Sequence, residues 1–440
     1  MQPVVGQNVS TPLDTKSDPR EVSIAIFAWN EERSIPSTLQ SLFQQSIFGR
    51  LHQRGARCEI ICVTNGCTDR TPLIAEQIAA ESLLGDPNRN AVSFRVANIA
   101  ERGKVNAWNQ FVHGLSARSA RVLFMMDADI LIDAPDTMWN MLATLECHSD
   151  ATVAVDLPRK NVVHKPGKSF SDRLSMAASR MTQAAEGQLC GQLYGIRAEA
   201  ARKIYLPKDL AACEDGYIKT LVCTDFLTQS VRPKRIRLAQ NAGHTFDAYT
   251  SLAAILKNQK RQIIGQTIIH LLVDRYFTTL SAIEKQGLAD FIKAKDSTDP
   301  TWLKQLIRAH VERTRCFWRL YPGLLVNHFH RLKRLDTLQR LRCFPAAVAG
   351  CCAALAASFL AYRTLKEGCT DYWPKAKRES FEGLVGHTDG PLTPALSPSE
   401  GARGNSRQLT VVGHVTAPSA NALKISKRLC TEQFLKKSAG

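Results

Sequence analysis

The sequence predicts an α/β fold in which a mostly parallel, Rossmann-like sheet is followed by a helical region and a disordered tail. Apolar runs of strand length alternate with helical stretches through the first 130 residues, and the loops between them are short. This alternation is typical of βαβ units. Beyond residue 245 apolar residues recur at helical spacing, and residues 390–404 are rich in Pro, Ser and Gly.

Each element of the predicted sheet domain follows from its local pattern. Four apolar runs predict the strands Val22–Phe27, Glu59–Val63, Ser93–Val96 and Val122–Met126. Helical periodicity predicts the helices Ile35–Leu42, Thr71–Ser82 and Val105–Leu115, the first with Ser34 as its N-cap. Further along, Thr152–Val155 favours a strand, and Ser171–Gln188, Leu252–Phe277 and Trp302–Phe344 are expected to be helical.

The chain is expected to divide into five segments. These are a flexible leader at 1–20, a sheet domain at 21–245, a basic helical region at 246–344, an apolar helix at 345–362 and a largely disordered tail at 363–440. Residues 390–404 resemble a translated bacterial intergenic repeat, which leaves open whether 390–440 is functional protein.

Composition places the chain among globular proteins with a basic surface. The net charge of +17 favours an anionic partner such as nucleic acid, anionic lipid or a phosphorylated substrate. The 13 cysteines show no CxxC pair, which argues against a zinc ribbon or a regular disulfide framework and favours the reducing cytosol. The first 20 residues hold no apolar stretch, so no secretory signal is expected.

The C-terminal half carries a basic stretch followed by an uncharged one. Trp302–Phe344 holds ten Lys and Arg residues against two acidic residues, and the 18 residues Pro345–Tyr362 carry no charge. A membrane span needs roughly 20 apolar residues. The uncharged stretch therefore fits a single span, a membrane-embedded helix or a buried soluble helix. Basic amphipathic helices lie on anionic lipid, which favours contact with the cytoplasmic face of a membrane; an ordinary solvated helix face is the alternative.

Two aspartates, Asp127 and Asp129, come directly after the buried run Val122–Met126. Ligands bind at the carboxyl ends of strands in open α/β sheets. Two carboxylates there can hold Mg²⁺ or Mn²⁺ through oxygen, and the cation can hold phosphates. The alternative is a polar strand end followed by a turn.

Three more polar segments follow strands or open helices: Ala28–Glu31, Thr64–Asp69 and Gly103–Asn109. Gathered at one edge of a parallel sheet, they could surround a nucleotide. Lys104 at a helix start offers a cation and free backbone amides to a phosphate. Taken alone, Asn65-Gly66 is as readily an ordinary turn.

Glu214 and Asp215 precede an apolar helix. A carboxylate at this point could act as the general base that a sugar hydroxyl needs to become a nucleophile. The alternative is acidic charge that only stabilises the positive N-terminal end of the helix.

These segments together resemble the family 2 glycosyltransferases of the GT-A fold over Glu21–Thr245. The resemblance implies that Asp127 and Asp129 bind the divalent metal and the donor diphosphate, that Asp215 is the catalytic base and that Glu214 supports it. It also implies a set of residues that border the donor nucleotide: Ala28, Asn30, Glu31, Asn65, Asp69, Lys104 and Asp127.

The chain departs from the family pattern at two places. The family commonly has an acidic residue at the position of Thr64, where it reads the base, so the donor nucleotide stays open. Gln259–Arg261 resembles a Gln and Arg motif of processive members, but the Trp that follows in that motif is missing. His244 is a further candidate metal ligand, with a structural role as the alternative.

The resemblance implies an inverting, metal-dependent glycosyltransferase that moves a sugar from a nucleotide-sugar donor to an unknown sugar or lipid-linked acceptor. One rival is a nucleotidyltransferase on a similar fold, although the Gly-rich and Arg-bearing loop expected after its first strand is missing at Ala28–Glu31. A second rival is a non-catalytic basic protein that binds a membrane surface or nucleic acid. A third is a degenerate transferase fold kept for binding. No nucleic-acid-binding signature occurs, so no nucleic acid is expected as a partner.

Overall fold

The structure, a computed structural model, describes residues 20–84, 91–163, 167, 187–210, 213–248, 251–324 and 337–368. Contacts between residues divide the chain into one unit at Met1–Glu382 and a second at Gly383–Gly440. The second unit lies wholly outside the described residues. The predicted helix Ser171–Gln188 lies almost entirely outside them as well.

One eight-stranded sheet forms the centre of the described chain, with the strands in the order β3-β2-β1-β4-β7-β6-β8-β5. The strands are β1 Arg20–Ala28, β2 Arg57–Asn65, β3 Val92–Ile99, β4 Val122–Asp127, β5 Ile130–Ile132, β6 Val153–Lys160, β7 Leu193–Arg197 and β8 Ile236–Phe246. The four strands predicted in the first half are therefore present, each longer than its apolar run by one to four residues.

The first four strands are parallel to one another, as the βαβ pattern predicts. The strands β1, β2 and β4 are buried on both faces because their side chains alternate between two cores, whereas β3 at the edge of the sheet has exposed positions. Ala25, Phe27 and Leu123 point into one core, whereas Ile24 and Phe124 point into the other. Because β4 is buried on both faces, its sequence is an uninterrupted apolar run. Its carboxyl end lies in the middle of the sheet.

The other half of the sheet is mixed. The strand β7 runs antiparallel to both β4 and β6, and β5 runs antiparallel to β8. The pair β6 and β8 is parallel, so parallel pairs remain in the majority. The predicted fold class, α/β with a mostly parallel sheet, is confirmed.

Helices cover the sheet and continue beyond it. Those of the sheet domain are α1 Ile35–Phe43, α2 Ile47–Gln53, α3 Thr71–Leu84, α4 Lys104–Gln110, α5 Thr137–Cys147, α6 Ala198–Arg202 and α7 Glu214–Cys223. Those that follow are α8 Leu252–His270, α9 Ala282–Gln286, α10 Leu288–Thr298, α11 Trp302–Thr314 and α12 Thr337–Lys366. A π-helical turn, Phe111–Leu115, extends α4 to the predicted end.

Two local predictions differ from the structure. Ser34 occupies the N-cap of α1, but its side chain makes no capping bond and instead donates to the Glu31 carboxylate. The helical stretch predicted from Trp302 breaks after Thr314, because Arg315 adopts a left-handed φ of 52° and ends α11.

The later helices pack against the sheet domain and share its core. Ion pairs and hydrogen bonds fix them there: Lys304 pairs with buried Asp209 at 3.3 Å, and the Lys208 N–H donates to Asp296 at 2.9 Å. The start of α7 lies under α8, since a Cβ built on Gly216 would come within 2.8 Å of Ile269. This contact brings a helix from outside the predicted sheet domain to the edge of the candidate site.

Candidate active site

Lys104 is the centre of the candidate site. It opens α4, and its buried ammonium lies 2.6 Å from Asp127 Oδ1 and 3.0 Å from Glu214 Oε1. It also donates to the carbonyl oxygen of Gly191 at 2.9 Å. Burial disfavours the ammonium, but the two carboxylates outweigh it and hold the pKa of Lys104 above its ordinary value. One cation thus joins the end of β4 to the start of α7.

The paired carboxylates at the start of α7 have different protonation behaviour. Burial opposes ionisation of Glu214, yet the Lys104 ammonium overrides it and lowers the pKa of that carboxyl. Burial and the negative charge of Glu214 raise the pKa of Asp215 to about 6. A carboxylate whose pKa lies near neutrality is suited to accept a proton, so Asp215 has the better properties for a general base.

The segment before β7 holds these groups in place. The carbonyl oxygen of Gln192 accepts from the Asp127 backbone N–H at 2.9 Å, which fixes the first aspartate of the pair. Gly191 is in contact with the carboxylates: a Cβ built on it would lie 3.2 Å from Glu214 Oε1 and 3.4 Å from Asp215 Cβ. A side chain at position 191 would therefore crowd both carboxylates.

The loops after β1 and β2 are tied together at the same edge of the sheet. Asn30 adopts a left-handed φ of 54°. Its side chain accepts from the Thr68 N–H at 2.7 Å and donates to the Thr68 hydroxyl at 3.1 Å, and its own N–H donates to Cys67 Sγ at 3.3 Å. Asparagine tolerates this backbone conformation better than most residues, which accounts for its use here.

Asn65 joins three of the predicted segments. Its buried amide donates to the carbonyl oxygen of Ala28 at 2.8 Å and accepts from the Gly103 N–H at 3.1 Å. Asn65 therefore holds the start of α4, and with it Lys104, against the end of β1.

Asp69 and Glu31 make mainly local contacts in this structure. The Asp69 carboxylate accepts from the Thr71 N–H at 3.1 Å and the Thr71 hydroxyl at 2.6 Å, and so organises the start of α3. Its other oxygen accepts from the Glu32 N–H at 3.3 Å. The Glu31 N–H donates to the Thr71 hydroxyl at 2.7 Å. Both residues lie at the predicted edge of the sheet, but these hydrogen bonds shape the loops.

Two further pairs line this edge. The buried hydroxyl of Thr64 donates to the Asn98 side-chain oxygen. Two neutral side chains are therefore paired at the position of Thr64, where the family commonly has an acidic residue. The guanidinium of Arg102 stacks over the ring of Trp29, with 3.5 Å from Cζ to the ring centroid. An arginine on an aromatic face is a cation–π contact, and it joins the loop after β1 to the loop before α4.

The family comparison agrees with this geometry. Residues 23–204 match the model of glycosyl transferase family 2. Residues 23–204 therefore carry the sequence pattern of glycosyl transferase family 2. The match covers β1 to β7 and the Asp127–Asp129 pair, and it stops short of Glu214 and Asp215.

The solved structures that match this chain include proteins from Staphylococcus aureus and Mycobacterium tuberculosis. Staphylococcus aureus TarS 1–349 is 16% identical, with 79% of this chain and 90% of that chain covered and a TM-score of 0.39. Glucosyl-3-phosphoglycerate synthase from Mycobacterium tuberculosis, solved with Mn²⁺, UDP-glucose and phosphoglyceric acid, is 15% identical, with 57% of this chain and 79% of that chain covered and a TM-score of 0.37. No curated protein matches the sequence.

The end of β4 offers hard oxygen ligands for a divalent cation. Asp129 is buried, and Asp127 is partly buried with one oxygen held by Lys104. Within the described part of the chain no group of three or more His, Cys, Asp or Glu side chains is placed to hold a metal. Two carboxylates therefore fit Mg²⁺ or Mn²⁺ only where phosphate oxygens and water complete the coordination, which is common for Mg²⁺.

His244 has protein partners on both ring nitrogens. It is fully buried, with Nδ1 2.7 Å from Asp156 Oδ2 and Nε2 3.4 Å from Gln192 Oε1. Burial opposes the imidazolium, but Asp156 prevails and raises the pKa of His244 to about 10. These contacts agree with a structural role more than with a metal ligand.

Two contributors to the site were not predicted from the sequence. Gly191 precedes β7 and passes close to Glu214 and Asp215. Its carbonyl oxygen accepts a hydrogen bond from Lys104. The charge of Arg261 on α8 contributes to the lowered pKa of Glu214 and offsets a small part of the rise in the pKa of Asp215. The motif around Gln259–Arg261 was the available signal for Arg261, and the missing Trp made it weak.

Proposed function

We propose that this chain is an inverting, metal-dependent glycosyltransferase. It moves a sugar from a nucleoside-diphosphate sugar to the hydroxyl of an acceptor. The observation that supports the proposal best is the position of Lys104, whose ammonium bridges Asp127 at the end of β4 and Glu214 at the start of α7. This bridge brings the diphosphate side and the acceptor side of the proposed reaction into one site.

The residues divide into two roles. Asp127 and Asp129 would hold a divalent cation, which when bound neutralises the charge that builds on the diphosphate leaving group. Asp215, with its pKa raised to about 6, accepts the proton of the acceptor hydroxyl as that oxygen attacks the anomeric carbon. A single displacement from the opposite face inverts the configuration at that carbon.

Lys104 and Glu214 position these groups. Lys104 keeps Asp127 and Glu214 ionised, and the ionised Glu214 in turn keeps the pKa of Asp215 high enough for proton transfer. Asn65 and Asn30 hold the loops on which the nucleotide would lie. The neutral pair of Thr64 and Asn98 leaves the identity of the base open.

The test is a panel of nucleotide sugars, assayed for release of nucleoside diphosphate with Mg²⁺ or Mn²⁺ and after chelation. A donor should also protect the protein against thermal unfolding in a metal-dependent way. Replacing Asp215 by Asn should lower turnover by at least about 10²-fold, in line with the contribution of general bases. Glu199→Gln makes the matching carboxylate-to-amide change at an exposed side chain on α6 and should leave turnover unchanged.

Three results would count against the proposal. Release of pyrophosphate in place of nucleoside diphosphate would favour the nucleotidyltransferase. Unchanged transfer by Asp215→Asn would remove this residue as the base. Binding of generic nucleic acid with a steep salt dependence, without any transfer, would favour the basic binding protein.

A further inference from the structure

The long helix α12 is held to the rest of the chain along one side by small residues. Ala354, Ala357, Ser358, Ala361 and Leu365 are buried and recur at helical spacing. The helix packs along α8 and touches α11. Small side chains let two helices approach closely, so this side of α12 is a packed interface within the fold.

The opposite side of α12 is apolar and exposed. Leu341, Phe344, Val348, Cys352 and Phe359 are all exposed, with Leu341 at 75% and Phe359 at 47%. They lie three, four, four and seven residues apart, which places them on one helix face. The row extends over roughly 27 Å at 1.5 Å per residue. Exposed apolar rows of this length mark interaction surfaces in soluble domains.

An aromatic residue and several cations border this row. Phe317 contacts Phe359 with ring centroids 5.6 Å apart, and the neighbouring Trp318 is 44% exposed. Trp318 is flanked in the chain by the exposed Arg315 and Arg319. Within Thr337–Lys366 the charged residues are Arg340, Arg342, Arg363 and Lys366, with no Asp or Glu.

By length and composition, Ala347–Lys366 could cross a bilayer, with a mean hydropathy of 1.5. One third of that stretch is buried in the fold, and Ala357, Ser358 and Ala361 contribute to the buried part. A spanning helix would have to give up this packing against α8. A helix that lies flat keeps it and still hides the exposed row from water.

We propose that the exposed face of α12 lies in the headgroup–acyl boundary of a membrane with anionic lipids, parallel to the bilayer plane. Interfacial helices combine an apolar face with flanking Lys and Arg, and tryptophan favours the membrane–water interface. Arg340, Arg363 and Lys366 at the two ends of the row would meet anionic headgroups. A second copy of the chain fits less well, because a symmetric contact would bring together two helices with four basic and no acidic residues each.

The test is flotation of the full chain with phosphatidylcholine vesicles, with and without phosphatidylglycerol. Leu341→Glu and Val348→Glu each place a charge in the exposed row, and Leu341, at 75% exposed, has few contacts to lose. Each should lower the bound fraction at least about tenfold, since each replaces a membrane-buried side chain by a charge. Ile283→Glu is the matched control, because Ile283 is 81% exposed on α9, and it should float as the unmodified chain does. Thermal unfolding shows that each variant folds.

Binding should be stronger to the vesicles that contain phosphatidylglycerol. The protein should leave cell membranes on alkaline carbonate extraction, as interfacial proteins do. No flotation of the unmodified chain, or equal flotation of Val348→Glu, would overturn the proposal. Resistance to carbonate extraction would show a spanning helix instead. A dimer that Leu341→Glu converts to a monomer, without any vesicle binding, would show that a second copy covers the face. None of these measurements depends on sugar transfer, so their outcome is independent of the proposed reaction.

Discussion

Gly191 passes so close to Glu214 that a Cβ built on the glycine would lie 3.2 Å from Glu214 Oε1. The carbonyl oxygen of Gly191 accepts a 2.9 Å hydrogen bond from the Lys104 ammonium. The same ammonium lies 3.0 Å from Glu214 Oε1. Gly191, Lys104 and Glu214 therefore form a closed triangle of contacts. The position of the proposed base, Asp215, depends on that triangle because it is the next residue in the chain.

Gly191→Ala should lower turnover about tenfold, because misplaced catalytic groups lose rate steeply with distance. The new Cβ meets the end of the flexible Glu214 side chain, so the free energy of unfolding should fall by at most about 1 kcal/mol. Kinetics of nucleoside-diphosphate release and urea unfolding measure the two effects. Unchanged turnover in Gly191→Ala would show that the close contact between Gly191 and Glu214 is not needed for catalysis.

Gly195→Ala is the matched control on the same segment. Its Cβ would lie 2.9 Å from the buried ring of Phe124, so overpacking of the core should cost about 1–3 kcal/mol of unfolding free energy. Turnover per folded molecule should stay near that of the unmodified chain. The two alanine variants, four positions apart, should thus separate activity from stability.

The pH profile of transfer should report Asp215. Burial and the Glu214 charge raise the pKa of Asp215 to about 6, and a general base acts only when unprotonated. The value of kcat/KM should therefore fall as the pH drops below about 6. Glu214→Gln removes the repelling charge, so the inflection should move to lower pH even though overall activity falls.

The control for that shift is Glu199→Gln, which removes a carboxylate from the surface and should leave the inflection in place. A profile of Glu214→Gln with the same inflection as the unmodified chain would show that another group governs the acid limb.

The first half of the sheet was predictable because its signals are local. The strands β1, β2 and β4 are buried on both faces and so read as apolar runs, and the helices between them show their own periodicity. The convergence of Asp127 and Lys104 was predictable in outline, since parallel strands present their carboxyl ends at one edge. The direct ion pair between them was not, because it depends on how α4 is anchored by Asn65.

The second half was less predictable because its pairing is non-local. The strand β7 is five residues long and is held between β4 and β6, so its identity depends on residues far away in the chain. The apolar positions of β8 are interrupted by Gln240 and Asn241. Asn241 has a left-handed φ of 52°. The contribution of Arg261 depends on α8 packing over α7, which no local pattern indicates.

Lys104→Gln should destabilise the fold. It leaves Asp127 and Glu214, whose side chains are 18% and 16% exposed, without the ammonium that compensates them. Breaking a buried ion pair by removing one partner costs about 3–5 kcal/mol. Urea unfolding measures the loss, and Asp127→Asn in the same background should recover at least about 1 kcal/mol through the coupling of the pair.

Lys203→Gln provides the comparison with an exposed pair. Lys203 lies 2.8 Å from Glu199 in an i,i+4 arrangement on the surface, and such pairs contribute about 0.5 kcal/mol or less. Equal losses of unfolding free energy in Lys203→Gln and Lys104→Gln would show that Lys104 contributes no more to stability than an exposed lysine does.

The buried pair of His244 and Asp156 should make stability depend on pH. The pKa of His244 is raised from 6.5 to about 10, so the folded chain keeps a proton that the unfolded chain loses. The stabilisation is therefore fully present below about pH 6.5 and is lost as the pH rises toward 10. Between these limits the free energy of unfolding should fall by up to about 1.4 kcal/mol per pH unit from this group alone. Urea unfolding across this range should show a shallower decline in His244→Gln than in the unmodified chain, because that variant has no proton to lose at this position. Parallel curves for the two proteins would mean that His244 is neutral in the fold.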